Sequence, residues 1–203
     1  MKHPERPLVA AVVLAAGSST RMGRNKLLLE IDGEPMARRA VRAALEAGLD
    51  PVIVVLGHEA DRVRGALLGL SCSPVVNHEH AQGMRTSLQR GIERAAQAAG
   101  AAVVVLADMP FVSAPMLAAL VERQRQTGAP VVVSRYGEVD APPTLYDRSL
   151  FPEILALTGD QCGKGVARRH AAEAAVVAWS KDALRDVDVP QDYESVRHSP
   201  VGG

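Results

Sequence analysis

Five short apolar runs, separated by segments with helical patterning, occupy the first two thirds of the chain. The runs cover residues 8–15, 51–56, 73–76, 101–107 and 129–134. Continuous apolar runs of this length are typical of strands that are buried on both faces of a sheet. Helices are predicted between them, over residues 35–47, 59–68, 84–99 and 113–126. The alternation of strand and helix predicts an α/β sandwich around a mostly parallel sheet.

The pattern weakens after residue 136. We predict a loop over residues 137–143 and a short strand over 144–146, followed by helices over 149–156 and 165–172 and an edge strand over 175–178. No linker or internal repeat interrupts the chain. Residues 1–203 are therefore predicted to form one domain, with flexible ends at 1–7 and 196–203.

Charge and cysteine content narrow the classes of partner. The 23 basic residues balance the 23 acidic residues, so the chain has no general attraction for nucleic acid or an anionic membrane. Its two cysteines are far apart and match no zinc spacing, as expected of a reduced cytoplasmic protein. No apolar run reaches the length of a membrane span. We expect a cytoplasmic protein with no nucleic-acid or membrane partner.

A Gly/Ser loop with three cations follows the first apolar run. The loop begins at Gly17, and the cations are Arg21, Arg24 and Lys26. Small residues let backbone N–H groups approach an anion, and arginine and lysine side chains bind phosphate. A triphosphate site and a solvated basic turn both fit this composition. The chain has neither the G-x-x-x-x-G-K-[ST] loop nor G-x-G-x-x-G after the first run.

Two aspartates are candidate magnesium ligands. Asp108 follows the fourth apolar run, where a carboxylate at the end of a strand can hold Mg²⁺ against phosphate oxygens, although an aspartate before a proline also suits a turn. Asp188 fits either a second ligand or a solvated tail. Asn77 and Ser87 are candidate contacts to a base or a ribose, and Ser87 equally fits a polar position on a helix.

Sequence motifs give the chain a specific resemblance. The stretch from Leu14 to Lys26 matches L-A-A-G-x-S-x-R-M-G-x-x-K at every fixed position, and in this the chain resembles the molybdenum cofactor nucleotidyltransferase-like family. Further similarities are an N…G-M-x-x-S…G stretch over residues 77–91, D-M-P at 108–110 and D-x-D-x-P-x-D-Y at 186–193. Residues 159–164 resemble the cytidylyltransferase branch. The A-P-P sequence at 141–143 departs from the G-x-P that the family often has near the acceptor.

The resemblance implies a fold and a reaction. The fold would be a Rossmann-like three-layer α/β sandwich of the nucleotide-diphospho-sugar transferase type. The reaction would be Mg²⁺-dependent transfer of a nucleoside monophosphate from a nucleoside triphosphate, with CTP favoured over GTP, to molybdopterin. Arg21 and Lys26 would be catalytic, and Asp108 and Asp188 would hold Mg²⁺. The nucleotide-binding residues would be Leu14, Ala15, Ala16, Gly17, Ser19, Arg21, Lys26, Asn77, Gly83 and Ser87.

Two other functions fit the same motifs. The acceptor would be a sugar or polyol phosphate in the first. In the second, the chain would be a non-catalytic nucleotide-binding partner of a molybdoenzyme or its chaperone. The intact Arg21, Lys26 and Asp108 argue against the second.

Overall fold

A seven-stranded sheet forms the centre of the protein. The structure is a computed structural model that describes residues 7–19, 23–159, 161–184 and 190–196. The strands of the main sheet are β1 (Val9–Ala15), β4 (Val52–Leu56), β5 (Ser73–Val76), β6 (Ala101–Leu106), β7 (Val131–Tyr136), β8 (Val139–Asp147) and β9 (Ala175–Trp179), and a small hairpin is formed by β2 (Glu30–Ile31) and β3 (Glu34–Pro35). The order across the main sheet is β5-β4-β1-β6-β8-β7-β9.

Helices cover both faces of this sheet. They are α1 (Met36–Glu46), α2 (Ala60–Ala66), α3 (Met84–Ala95), α4 (Ala114–Thr127), α5 (Phe151–Leu155), α6 (Gly163–Arg169) and α7 (Pro190–Val196). Successive residues of a strand point to opposite faces, so Val13 packs in one core with α1, α2 and α4, and Val12 packs in the other with α3, α5 and α6. The predicted three-layer sandwich is confirmed.

The sheet reverses its strand order beside β1. The strand lies between β4 and β6 and is parallel to both, with Leu14 opposite Val55 on one side and Leu106 on the other. The chain passes from β1 outward to β4 and β5, and then crosses to β6. Ligands of open α/β sheets bind outside the carboxyl ends of the strands at such a reversal. The site is therefore expected beyond Ala15 and Leu106.

The sheet is mostly parallel, as predicted, but the sequence pattern did not predict that β8 is antiparallel to its neighbours. Within the described residues only β8 is reversed, and it is antiparallel to both β6 and β7. We predicted a loop over residues 137–143, and this was wrong, because β8 already begins at Val139. Arg135 and Asp140 form a bidentate ion pair across this hairpin, at 2.7 and 3.1 Å, and the Tyr136 hydroxyl donates to the Pro142 carbonyl at 3.1 Å. Polar side chains and prolines thus occupy the first half of β8, so it lacks the apolar alternation from which a strand is predicted.

Gly91 lets α3 lie directly on the sheet. A β-carbon at this position would overlap Cγ1 of Val12 and would come within 3.1 Å of Cγ2 of Val55. Both valines lie in the interior of central strands, so neither can move without disturbing β1 or β4. The missing side chain therefore sets the distance between α3 and the sheet.

We predict that Gly91→Ala lowers the free energy of unfolding by about 1–3 kcal/mol, because it overpacks this contact. Gly65→Ala is a matched control, since Gly65 lies in α2 with nothing within 4 Å of the added carbon. That control should raise stability by up to about 1 kcal/mol through helix propensity. Urea unfolding measures both, and a stabilised Gly91→Ala protein would contradict the packing argument.

Candidate functional site

A cleft of about 470 Å³ opens at the carboxyl ends of β1 and β6. Its walls come from three segments: the loop after β1, the start of α3 with the turn before it, and the loop after β6. The lining includes Leu14, Ala16, Gly17, His80, Gly83, Ser87 and Asp108. The cleft therefore lies where the reversal of strand order placed the site.

The loop after β1 folds back on itself and fixes Lys26. Ser19 has a left-handed backbone with φ of 50°, and its Oγ accepts a hydrogen bond from the backbone N–H of Lys26 at 3.1 Å. Buried Asn25 accepts from the N–H of Leu27 at 3.1 Å and caps the 3₁₀ turn Lys26–Leu28. These two short contacts position the start of the turn, and with it the lysine.

Lys26 and Asp108 form an ion pair beside the cleft. The lysine Nζ lies 2.6 Å from Oδ2 of Asp108, and the two side chains are 12% and 25% exposed. The pair forms because β1 and β6 are neighbours, and the Ala107 N–H donates to the Leu14 carbonyl at 3.1 Å just before the two loops begin. A cation and a carboxylate, both largely shielded from water, therefore stand together where β1 and β6 end.

Asn77 lies beneath the cleft and is 1% exposed. Its side-chain amide donates to Thr86 Oγ1 at 2.9 Å and to Ser87 Oγ at 3.0 Å, and its oxygen accepts from the N–H of Glu79 at 3.0 Å. Both amide protons are therefore committed to α3. Asn77 therefore holds Ser87 in place, and the direct nucleotide contact that we expected of Asn77 stays a prediction.

The predicted site residues fall into three groups. Leu14, Ala16, Gly17, Gly83, Ser87 and Asp108 line the cleft. Ala15, Ser19, Lys26 and Asn77 support it or stand at its edge, Ala15 by packing on the other side of the sheet. Arg21 and Asp188 lie outside the described residues, so their roles stay predictions.

Sequence reasoning missed a histidine that lies in the cleft wall. His80 lines the cleft, and its ring centroid is 6.5 Å from that of His58, which follows β4. A β-carbon on Gly57 would lie 2.7 Å from the His80 β-carbon, so this glycine lets the two segments meet. No group of three metal-ligating side chains occurs in the part of the chain that the structure describes. The signal for His80 was its position just before the G-M-x-x-S stretch.

The C-terminal helix, which we did not predict, returns to the loop after β1. The Tyr193 hydroxyl donates to the Glu30 carbonyl at 2.9 Å, and the Arg24 guanidinium lies 5.7 Å from the centre of the Tyr193 ring. The ring also packs against a small apolar cluster of Leu29, Ile31 and Met36. Helix α7 thus contacts the segment that carries Lys26 on both sides of this lysine.

Comparison with known proteins identifies the family. Residues 11–175 match the model of the MobA-like NTP transferase domain. The chain belongs to this family. Membership makes the chain a nucleotidyltransferase with a nucleoside triphosphate as substrate. The matched residues include both segments that form the ion pair. The resemblance to the molybdenum cofactor nucleotidyltransferase-like family is confirmed.

Individual relatives of this MobA-like chain agree with that assignment. The purine catabolism protein PucB of Bacillus subtilis (strain 168) is 31% identical over 208 residues, covering 95% of this chain and 98% of PucB. A nucleotidyl transferase from Methanothermobacter superposes with a TM-score of 0.80 at 26% identity, covering 94% of this chain and 96% of the other. A manganese complex of Rv0371C from Mycobacterium tuberculosis H37Rv superposes with a TM-score of 0.77 at 28% identity, covering 93% and 97%.

No helix is both long and apolar enough to cross a membrane within residues 7–19, 23–159, 161–184 and 190–196.

The Tyr193 contacts generate a stability prediction. Tyr193→Ala loses both the ring contact and the hydrogen bond, so it should lower the free energy of unfolding by about 1–3 kcal/mol. Tyr193→Phe keeps the ring and should lose about 1 kcal/mol or less. Amide hydrogen exchange should quicken at Leu27 and Leu29 in the alanine variant. Equal stability and exchange in all three proteins would show that α7 does not hold this segment.

Proposed function

We propose that this MobA-like protein transfers CMP from CTP to molybdopterin, releases pyrophosphate and requires Mg²⁺. The observation that carries the proposal is the Lys26–Asp108 ion pair beside the cleft of an NTP transferase fold. The preference for CTP rests on the resemblance of residues 159–164 to the cytidylyltransferase branch. The choice of molybdopterin rests on the family signature between Leu14 and Lys26.

Asp108 fits a divalent cation. Its carboxylate is a hard oxygen ligand, remains partly exposed and lines the cleft, where it would hold the cation together with oxygens of the triphosphate. The manganese complex of the relative Rv0371C supports the use of a divalent metal. We propose Asp188 as the second ligand. The bound cation would neutralise charge on the phosphates.

The ion pair keeps both charges compensated before the nucleotide arrives. An unpaired charge in a shielded site is costly, and Lys26 and Asp108 relieve that cost for each other. With a triphosphate and its cation bound, Lys26 would pair with phosphate oxygens, and Asp108 would be free to hold the metal. Each side chain would then have an opposite charge beside it both before and after the nucleotide binds.

The transfer itself needs positioning and charge, not a protein nucleophile. An oxygen of the acceptor phosphate attacks the α-phosphorus, and the bond from that phosphorus to the β-phosphate oxygen breaks in line. Lys26, together with Arg21, stabilises the negative charge that develops on the departing pyrophosphate. The phosphates can approach the backbone at Gly17 closely, because this residue has no side chain. The space that a β-carbon would occupy there is open, with no atom within 4 Å.

The two alternative functions differ in whether they would use the Lys26–Asp108 ion pair. A non-catalytic nucleotide-binding partner has no need of a lysine and a carboxylate at the reacting end of the cleft. A sugar- or polyol-phosphate transferase would use the same ion pair, so only the acceptor separates it from our proposal. Pyrophosphate release with each acceptor in turn decides between them.

Two substitutions test the roles of the ion pair. Asp108→Asn should reduce turnover by about 100-fold or more and raise the metal concentration needed for half-maximal rate, because a ligand charge is lost. Lys26→Ala should reduce turnover by about 100- to 1000-fold without raising the metal requirement, because Asp108 then no longer exchanges a lysine for the cation. Pyrophosphate release against magnesium concentration measures both effects.

The exposed carboxylate Asp61 on α2 supplies the control for this test, because Asp61→Asn removes the same charge from a side chain that does not line the cleft. It should leave rate and metal dependence unchanged. Normal turnover by Asp108→Asn, with an unchanged magnesium requirement, would exclude Asp108 as the metal ligand and overturn the mechanism.

The nucleotide preference is tested separately. We expect kcat/KM for CTP to exceed that for GTP or ATP by about tenfold or more, a ratio that a shaped pocket can supply. Competition among the three triphosphates in one assay measures it. A preference for GTP would assign the protein to the guanylyltransferase branch and leave the transfer mechanism intact.

A further inference from the structure

Glu59 has a backbone conformation that is unfavourable for its residue type. It stands at the start of α2 with φ of 50° and ψ of 40°, in the left-handed region that glycine prefers, and its side chain does not cap the helix. A residue with a β-carbon is strained there, and such strain persists only where the surrounding structure imposes it. Glycine would avoid the strain, so the contacts of the Glu59 side chain are where a compensation should lie.

The segment that carries Glu59 packs against the loop after β1. A β-carbon on Gly57 would lie 2.8 Å from both the β-carbon and the carbonyl oxygen of Ala16, and the backbone N–H that follows Gly57 donates to that carbonyl at 3.3 Å. Val63 of α2 and Leu27 belong to the same core. The start of α2 is therefore held beside the 3₁₀ turn that begins at Lys26.

Asn25 brings a buried amide to this junction. Its side chain is almost fully buried, and its oxygen accepts from the N–H of Leu27 and so caps the turn. Nδ2 of the same side chain is also buried, and no group in the described part of the chain accepts a hydrogen bond from it at normal geometry. A buried N–H without compensation is costly, so a negatively charged neighbour is favoured here.

The Glu59 carboxylate is that neighbour. Its side chain is 28% exposed and forms an ion pair with Arg62, and His58 Nε2 lies 3.9 Å from it. Arg62 lowers the pKa of the Glu59 carboxyl most, and the Asn25 side chain lowers it further, as expected of an amide whose N–H bonds point at the charge. Such an amide is attracted to a carboxylate even beyond hydrogen-bond distance.

We propose that Glu59 is a positioning residue for Lys26, because its carboxylate holds the Asn25 amide and thereby fixes the turn that begins at the lysine. This inference rests on the proposed function only for the role of Lys26, and it depends on neither the nucleotide nor the acceptor. The contact joins the loops after β1 and β4. A lysine held in this way needs no ordering before it meets the triphosphate. The strain at Glu59 is then offset by what its side chain does.

The contact is tested first without any substrate. The side-chain amide signals of Asn25, followed by NMR as the pH is lowered, should titrate with the Glu59 carboxyl, and the midpoint should lie below that of an ordinary glutamate. This transition should disappear in Glu59→Gln. It should persist in the control Arg62→Gln with a raised midpoint, since that change removes the arginine and leaves the amide. Asn25 signals that do not respond to Glu59 would overturn the proposal.

An exchange of the two groups tests the contact through activity. Asn25→Asp keeps the oxygen that caps the turn but sets a second carboxylate against Glu59. In pyrophosphate release from CTP and molybdopterin, kcat should fall by about tenfold, because a misplaced lysine stabilises the transition state less, and KM for CTP should change much less. Combining Asn25→Asp with Glu59→Gln restores one amide and one carboxylate, and it should recover most of the rate. A double variant no faster than Asn25→Asp would contradict the proposal.

The strained backbone supplies an independent readout. Glu59→Gly relieves the strain but removes the carboxylate, so it should lower kcat by about tenfold while the urea midpoint of unfolding stays at or above that of the unmodified protein. Asp32→Gly is the matched control, since Asp32 has φ of 52° in the turn between β2 and β3. This control should turn over normally. A purely structural role for Glu59 would instead lower the unfolding midpoint and leave kcat unchanged.

The results separate the positioning role from the proposed function. If molybdopterin is not a substrate but the Asn25 signals titrate with Glu59, the proposed acceptor is wrong and the contact stands. If Asn25→Asp and Glu59→Gly turn over CTP and molybdopterin as the unmodified protein does, the reaction stands and Glu59 does not position Lys26.

Discussion

The parallel pairing of β1 with β6 is the constraint on which the site depends. Six register pairs align the two strands from Val9 with Ala101 to Leu14 with Leu106, so their following loops leave the sheet side by side. Lys26 and Asp108 are 82 positions apart in the chain but 2.6 Å apart in space for this reason. A slip of one residue in this register would turn every side chain of one strand to the other face and separate the ion pair.

Two further contacts hold the loops that this pairing brings together. Buried Asn77 joins the end of β5 to the first turn of α3 and fixes Ser87 in the cleft wall. Tyr193 joins α7 to the carbonyl of Glu30 and to Arg24, on either side of the segment that holds Lys26. Both contacts are made by side chains that lie outside the ion pair, and both restrict backbone that would otherwise be free at the end of a strand. A preorganised charge stabilises a transition state better than one that must first be ordered.

Sequence reasoning succeeded where one physical signal dominates. The apolar runs predicted β1, β4 and β6 nearly to the residue, because strands buried on both faces allow few alternatives. They also located the partly buried edge strand β5. The loop signature located a segment that lines the cleft, since it follows the carboxyl end of a buried strand. Reasoning failed where contacts are made between distant segments. The strand β8 is held by cross-strand polar pairs such as Arg135 with Asp140, and α7 by its packing on Glu30, and neither leaves a periodic trace. The role of Asn77 likewise follows from its burial, which the sequence does not show.

The placement of Lys26 shows how a chain with no net charge can offer local positive charge to an anionic substrate. Equal numbers of acidic and basic residues give no long-range attraction, so each phosphate must be met by a local cation. Lys26 is largely shielded from water and is held beside Asp108 where β1 and β6 end, so its charge is screened less than that of an exposed lysine.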